Sequence, residues 1–208
     1  MNSPSLASGD ALIAILRGVQ PDEVIAVAQA IFDAGIRVVE VPLNSPRPCD
    51  SIRKLCDHFG DSMLVGAGTV LDLDSVRNVR DAGGRLIVSP NTNADVIAET
   101  KRLGMISCPG VMTVSECFTA LAAGADGLKL FPASSLGPSF IGAVRAVLPP
   151  GTPIIPVGGV DEHSIADWVA TGADGFGLGS SLYKPGMTPQ QVSTRCKTLV
   201  AALQACRQ

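Results

Sequence analysis

The sequence predicts an α/β fold of eight strand-and-helix units, and three observations carry that expectation. The first is an internal repeat in which a helix-like stretch ends in glycine and a short apolar run follows. It occurs as D-A-G-I-R-V-V-E-V at 33–41, D-A-G-G-R-L-I-V at 81–88, R-L-G-M-I-S-C at 102–108, A-A-G-A-D-G-L-K-L at 122–130 and A-T-G-A-D-G-F-G-L at 170–178. Each copy reads as helix, glycine cap, strand. The second is spacing: with Leu12–Leu16, Met63–Gly66 and Pro153–Val157 added, the runs begin near residues 12, 37, 63, 86, 106, 127, 154 and 175, every 20 to 27 residues. The third is that runs such as Leu12-Ile13-Ala14-Ile15-Leu16 do not alternate with polar residues, as strands covered on both faces of a parallel sheet require.

In chain order, the run from Leu12 is the first strand, and Gln20-Pro21-Asp22-Glu23 opens the helix after it. The second strand is Arg37–Pro42, the third starts at Met63 and the fourth at Leu86. Asn93-Ala94-Asp95 opens the helix that leads to the fifth strand, near Ile106. Gly127-Leu128-Lys129-Leu130-Phe131-Pro132 is the sixth and Pro153–Val157 the seventh. Asp161-Glu162-His163-Ser164 opens the helix before the eighth, which starts at Gly175. Eight such units make a compact (β/α)8 barrel, the TIM-barrel architecture, expected as one domain over residues 1–208. The alternative is an open doubly wound sheet, but no G-x-G-x-x-G follows the first strand and the repeat runs on to the last one.

The 208 residues are 46% hydrophobic and 17% charged, with 22 glycines and 15 prolines, which excludes a disordered or fibrous chain and fits many short elements. Sixteen Lys and Arg against 19 Asp and Glu give a net charge of −3 without like-charge blocks, so neither nucleic acid nor a membrane surface is indicated as partner. A small molecule is. Six scattered cysteines, Cys49, Cys56, Cys108, Cys117, Cys196 and Cys206, contain no C-x-x-C pair and read as reduced thiols. Met1–Leu16 lacks a basic residue and its longest apolar stretch, from Ala11, is too short for a bilayer span, so a cytoplasmic location is expected.

A barrel places its active site at the C-terminal ends of the strands, so the polar residues there are the candidates. Alternation on the sixth strand sends Leu128 and Leu130 outward and Lys129 into the barrel; on the second it sends Val39 and Val41 outward and Glu40 inward. Burial depresses an amine's pKa, and a free amine attacks carbonyls. The chain has five lysines; Lys54, Lys101 and Lys197 fall on polar helical stretches and Lys184 in a loop. Glu40 is either the ion-pair partner of Lys129 or a proton shuttle, and the two roles are compatible. Val157-Gly158-Gly159-Val160 and Gly177-Leu178-Gly179-Ser180-Ser181 follow strands seven and eight, the frequent phosphate position of barrels; each alone also reads as a plain turn. Arg17 and Thr69, at the ends of strands one and three, offer a second anion site such as a carboxylate holder, although Arg17 also reads as a rim arginine. Only His58 and His163 are present and no carboxylate or histidine cluster has ligand spacing, so no metal site is expected.

Leu16-Arg17-Gly18-Val19, Val39-Glu40-Val41-Pro42-Leu43-Asn44-Ser45-Pro46, Gly66-Ala67-Gly68-Thr69-Val70, Ser89-Pro90-Asn91, Cys108-Pro109-Gly110, Leu128-Lys129-Leu130-Phe131-Pro132-Ala133 and the two glycine loops together resemble the 2-keto-3-deoxy-6-phosphogluconate/6-phosphogalactonate aldolases over nearly the whole chain. The resemblance implies a homotrimeric class I aldolase that needs neither metal nor cofactor and yields pyruvate and glyceraldehyde 3-phosphate. It makes Lys129 the imine-forming lysine and Glu40 the acid/base. It puts Arg17 and Thr69 at the pyruvate carboxylate, Pro90 and Phe131 in the pocket wall, and Gly158, Gly159, Gly179 and Ser180 at the phosphate. The gluconate branch usually carries arginine where this chain has Asn44 and threonine where it has Val157, so the resemblance favours the galactonate epimer, with Arg17 taking over the carboxylate and Val157 facing the substrate. A phosphate-binding isomerase or epimerase that uses Lys129 only as a charge, and a barrel that binds a sugar phosphate without turning it over, are the rival readings.

Overall fold

A computed structural model describes residue 6 and residues 11–207 of the chain. Most of the segment before the first strand, on which the reading of the N-terminus and the start of the expected 1–208 domain rest, lies outside the described residues. The elements run β1 (Ala11–Ile15), α1 (Val24–Asp33), β2 (Val38–Pro42), α2 (Pro48–Phe59), β3 (Leu64–Gly68), α3 (Leu73–Asp81), β4 (Leu86–Val88), α4 (Ala94–Arg102), β5 (Ile106–Cys108), β6 (Gly110–Val111), α5 (Val114–Ala122), β7 (Leu128–Leu130), α6 (Ala133–Leu136), α7 (Ser139–Arg145), β8 (Ile154–Pro156), α8 (Ile165–Ala170), β9 (Gly175–Leu178) and α9 (Pro189–Ala205). Every strand start read from the sequence falls within one residue of an observed one. One strand was not expected: the fifth run ends as β5 at Cys108, Pro109 has no N–H to give the ladder, and a short β6 follows at Gly110–Val111.

All strand pairs are parallel, in a six-stranded sheet of order β5-β4-β3-β2-β1-β9 and a three-stranded sheet of order β6-β7-β8. A single bridge, Val157 to Gly177, joins β8 to β9. The chain is an α/β fold whose parallel strands curl around an apolar interior.

The glycine of the repeat explains the strand starts. Gly35, Gly83, Gly104, Gly124 and Gly172 all have φ between 72 and 99°, so each helix stops where L-residues are penalised and the chain turns back into the sheet. The residue two places on is polar in four of the five copies, and it does structural work at the N-terminal end of the strands. Asp126 accepts the Ser107 N–H at 2.8 Å and pairs with Lys101. Asp174 accepts the Ile154 N–H at 2.7 Å and pairs with Arg145. Arg85 donates to the carbonyls of Gly60 and Met63, and Arg37 to that of Phe32. Helix starts follow the sequence signals: Asn93 accepts from the Asp95 and Val96 N–H groups, while Thr113 with Glu116 and Thr188 with Gln191 form capping boxes.

Two apolar layers result. Val39, Val41, Leu128 and Leu130 face outward and pack with the helices, which contribute rows such as Ile52, Leu55 and Phe59 of α2 and Val192, Cys196, Leu199 and Leu203 of α9. The opposite parity forms a second cluster of Ile13, Ile15, Val38, Leu64, Leu86, Val88, Cys108, Ile155 and Val157 inside the sheets. Glu40, two residues beyond Val38, and Lys129, paired in register with Gly110 and Ile155, share that inner parity.

Candidate active site

Glu40 and Lys129 are the charged members of the inner layer, 1% and 6% exposed. Loss of hydration lifts the Glu40 carboxyl from its ordinary 4.5 to about 7, although the positive charges of Lys129 and Arg17 pull it down. The same loss holds the Lys129 ammonium below its ordinary range, opposed by Glu40 and Cys108 and assisted by Arg17. Each group is therefore more easily neutral than in water. Glu40 Oε2 has no hydrogen-bond partner among the described residues, a costly condition for a buried carboxylate oxygen and one found where chemistry requires it. The space for this carboxylate is made by Gly68, where any Cβ would collide with Glu40. Lys129 Nζ stands 4.8 Å from the centroid of the Phe131 ring, whose face favours a cation and otherwise shields the amine from water.

At the strand ends, Arg17 Nη1 donates to Asn44 Oδ1 at 2.5 Å and the Gly18 N–H donates to Ser45 Oγ at 2.9 Å, fastening the loop after β1 to the loop after β2. Thr69, directly after β3, has φ 58°, a left-handed conformation that costs a β-branched residue on the order of 1–3 kcal/mol. Pro90, after β4, lies so close to Gly110 that a Cβ there would strike the Pro90 carbonyl.

A cavity of about 820 Å³ opens over β1, β8 and β9. Seven of the sequence candidates line it: Arg17, Phe131, Val157, Gly158, Gly159, Gly179 and Ser180. Lys129, Glu40, Thr69 and Pro90 are not in its walls. Phe131 and Val157 join the two regions, since both belong to the inner cluster and to the cavity lining. Gly158 and Gly159 have consecutive positive φ of 98 and 80°, and a Cβ at Gly159 would press on Ser134. The N–H groups of Gly159, Ser180 and Ser181 donate no hydrogen bond among the described residues, which leaves a set of donors beside an open space. That is an anion cradle in form.

Other residues of the site escaped the sequence reading. Tyr183, which donates to Glu23 Oε1 at 2.8 Å, lines the cavity together with Lys184, Pro185, Asp161 and Glu162. Thr194, Arg195 and Thr198 reach it from α9, a helix whose sequence pattern advertises only its apolar face. Cys108 lies within electrostatic reach of Lys129 and Glu40, and burial pushes its thiol up to about 12. Its inward parity beside Ile106 was a signal that alternation could have supplied. His163 is exposed and His58 sits in the last turn of α2; among the described residues no three His, Cys, Asp or Glu side chains cluster to hold a metal ion.

A parallel α/β fold that buries an amine and a carboxylate against its inner layer, with unspent backbone N–H groups beside a cavity over the last two strands, is the arrangement of a small-molecule enzyme. Residues 6–195 match the family model described as KDPG and KHG aldolase, and the chain belongs to that family of lyases. It is 50% identical over 194 residues to the Probable 2-dehydro-3-deoxy-6-phosphogalactonate aldolase of Rhizobium meliloti (strain 1021), covering 93% of this chain and 92% of that one. The solved structure of native KDPGal superposes with a TM-score of 0.93 at 44% identity, over 94% of this chain and 95% of the other. A KDPG aldolase from Legionella pneumophila, solved with pyruvate captured at low pH as a covalent carbinolamine intermediate, superposes at 0.81 with 25% identity over 97% and 96% of the two chains.

Proposed function

We propose that this enzyme cleaves 2-dehydro-3-deoxy-6-phosphogalactonate to pyruvate and glyceraldehyde 3-phosphate through an imine on Lys129. The observation that carries the reading is the burial of Lys129 on the inner face of β7 beside the unsatisfied Glu40 carboxylate. The Lys129 amine adds to the C2 carbonyl, and the carbinolamine loses water to give a protonated imine. Glu40, directly or through a water, takes the C4 hydroxyl proton as the C3–C4 bond breaks. The electron pair moves into the imine to form an enamine and the aldehyde leaves. Protonation at C3 and hydrolysis then return pyruvate and the free amine. A carboxyl near pH 7 accepts and returns this proton with little driving force lost in either direction.

Arg17 and Thr69 hold the substrate carboxylate in this reading, with Arg17 steadied by Asn44. Pro90 and Phe131 wall the pocket. Gly158, Gly159, Gly179 and Ser180 take the phosphate on backbone donors. Val157 faces the C4 end without a hydroxyl to offer, which together with the galactonate name of the R. meliloti relative supports the galactonate epimer over the gluconate one.

The same proposal takes the two sheets as one closed (β/α)8 barrel and one domain: the 106–111 run pairs with β4 on one side and β7 on the other, and the Val157–Gly177 bridge closes β8 onto β9. It takes the enzyme as a cytoplasmic homotrimer. Exposed Met112, Val114 and Phe118 around the start of α5 supply an apolar face for a second copy, no described helix is long and apolar enough to cross a membrane, and six unpaired thiols suit a reducing compartment.

Borohydride reduction in the presence of pyruvate followed by intact mass tests the chemistry. One pyruvate-derived adduct per chain should form and map to the peptide containing Lys129. An adduct on another lysine, or cleavage that survives Lys129→Ala and depends on a chelatable metal, refutes it and returns the reading to an isomerase that uses Lys129 only as a charge.

A further inference from the structure

The cradle over β8 and β9 is built from backbone donors, and the cavity beside it carries a cation that the sequence reading did not associate with it. Arg195 stands on the second turn of α9, lines the cavity and donates from Nη1 to the Ser180 carbonyl at 3.0 Å. A guanidinium has five N–H donors in one plane and this bond uses one of them. None of the ion pairs within 4.0 Å among the described residues includes Arg195. It is therefore fixed against the very loop whose N–H groups are unspent, with its charge uncommitted. The other charged groups of the cavity are Arg17, held by Asn44; Lys184, in the exposed loop after β9; and the carboxylates Asp161 and Glu162. Asp161 is engaged by the Ser164 and His163 N–H groups, whose bonds hold its carboxyl below the ordinary range, and Glu162 faces His163 at 3.8 Å.

We infer that Arg195 is a binding residue for the substrate's phosphate, a charged contact added from the last helix to the neutral backbone cradle of Gly158, Gly159, Gly179 and Ser180. The inference rests on the proposed phosphate role of those loops. Backbone donors recognise any oxyanion of the right shape, whereas a guanidinium beside them rewards the second negative charge of a phosphate dianion. Arg195 is chosen over Lys184 because its hydrogen bond to Ser180 holds it at the cradle, while the Lys184 ammonium makes no hydrogen bond or ion pair among the described residues. Arg195 is only half-buried, so the contribution is sensitive to salt.

The test compares wild type with Arg195→Ala, Arg195→Lys and Lys184→Ala. The first readout is inorganic phosphate itself, by calorimetry and by the rise in Tm it produces against chloride of equal ionic strength. Phosphate should bind wild type, and Arg195→Ala should weaken it roughly tenfold, the usual effect of one charge-assisted hydrogen bond. Arg195→Lys should recover part of the loss and Lys184→Ala should lose less than threefold. The second readout is cleavage: Arg195→Ala should raise KM for the phosphorylated aldol by a similar factor, with a much smaller change in kcat/KM for the unphosphorylated analogue. Phosphate binding equal in wild type and Arg195→Ala overturns the inference, as does phosphate failing to bind wild type at all. Equal losses on both aldols, with kcat falling and Arg195→Lys giving no rescue, reduce Arg195 to a brace for the Ser180 turn. Gly179→Leu separates this from the underlying reading. A Cβ at Gly179 meets nothing within 4 Å, so the added side chain starts in open space at the cavity wall, and circular dichroism checks that the variant is folded. If it leaves the phosphorylated KM unchanged, the phosphate loops are misassigned; if it raises that KM while Arg195→Ala does not, only the inference fails.

Discussion

Replacing Glu40 by glutamine keeps the volume of the side chain and removes its charge, and the structure predicts opposite effects on turnover and on stability. Turnover should fall roughly 10²- to 10⁴-fold, the span of a positioned proton-transfer group. Stability should not fall with it. Lifting the Glu40 carboxyl from 4.5 to about 7 costs up to about 3 kcal/mol at about 1.36 kcal/mol per pH unit. The sign follows from proton linkage. Between about pH 4.5 and 7 the folded state binds more protons than the unfolded one, so wild-type stability declines as the pH rises through that window. Glutamine carries no such penalty, so the variant should gain on wild type as the pH climbs from 4.5 to 7 and keep a constant advantage above. For a chain of this length 1–3 kcal/mol is about 2–10 °C in Tm. Lys129, deprived of its anion, should titrate lower still. The assay is thermal unfolding by circular dichroism from pH 5 to 8 with pyruvate release measured on the same preparation. A variant that melts well below wild type at pH 8 while retaining normal turnover would falsify the proton-transfer role and leave Glu40 as a structural counter-ion.

Gly68→Ala places a methyl group against the Glu40 carboxylate without disturbing a special backbone conformation, so it should cut kcat at least tenfold with Lys129 still reducible onto pyruvate; unaltered kcat would mean that the carboxylate does not work from this position. Val157→Thr supplies a hydroxyl at the cavity wall and should move the kcat/KM ratio of the two pure epimers towards the gluconate form by several-fold; a wild type that already prefers the gluconate epimer tenfold or more sinks the assignment of epimer and leaves the aldolase mechanism standing.

Local rules sufficed for much of this molecule. The repeated glycine decided where five of the helices end, because only glycine takes positive φ without penalty, and the starts of β2, β4, β5, β7 and β9 followed from it. Side-chain alternation then put Glu40 and Lys129 on the inner face and Val39, Val41, Leu128 and Leu130 on the outer one, since a strand offers no other choice. Those consequences depend on neighbours along the chain. What depends on neighbours in space was decided by tertiary structure. The notch that Gly68 gives Glu40, the unsatisfied state of Oε2, the Arg17–Asn44 bond and the separation of the cavity wall from the Lys129–Glu40 pair exist only once β1, β2, β3 and β7 stand in register. Arg195 is the plainest case: 15 residues beyond Ser180, it reaches the Ser180 carbonyl because α9 packs against α1 and α8 through Val192, Cys196, Leu199 and Leu203 and leaves Arg195 at the edge of that face. A sequence period reports which face of a helix is apolar; only the packed structure determines what its polar face meets.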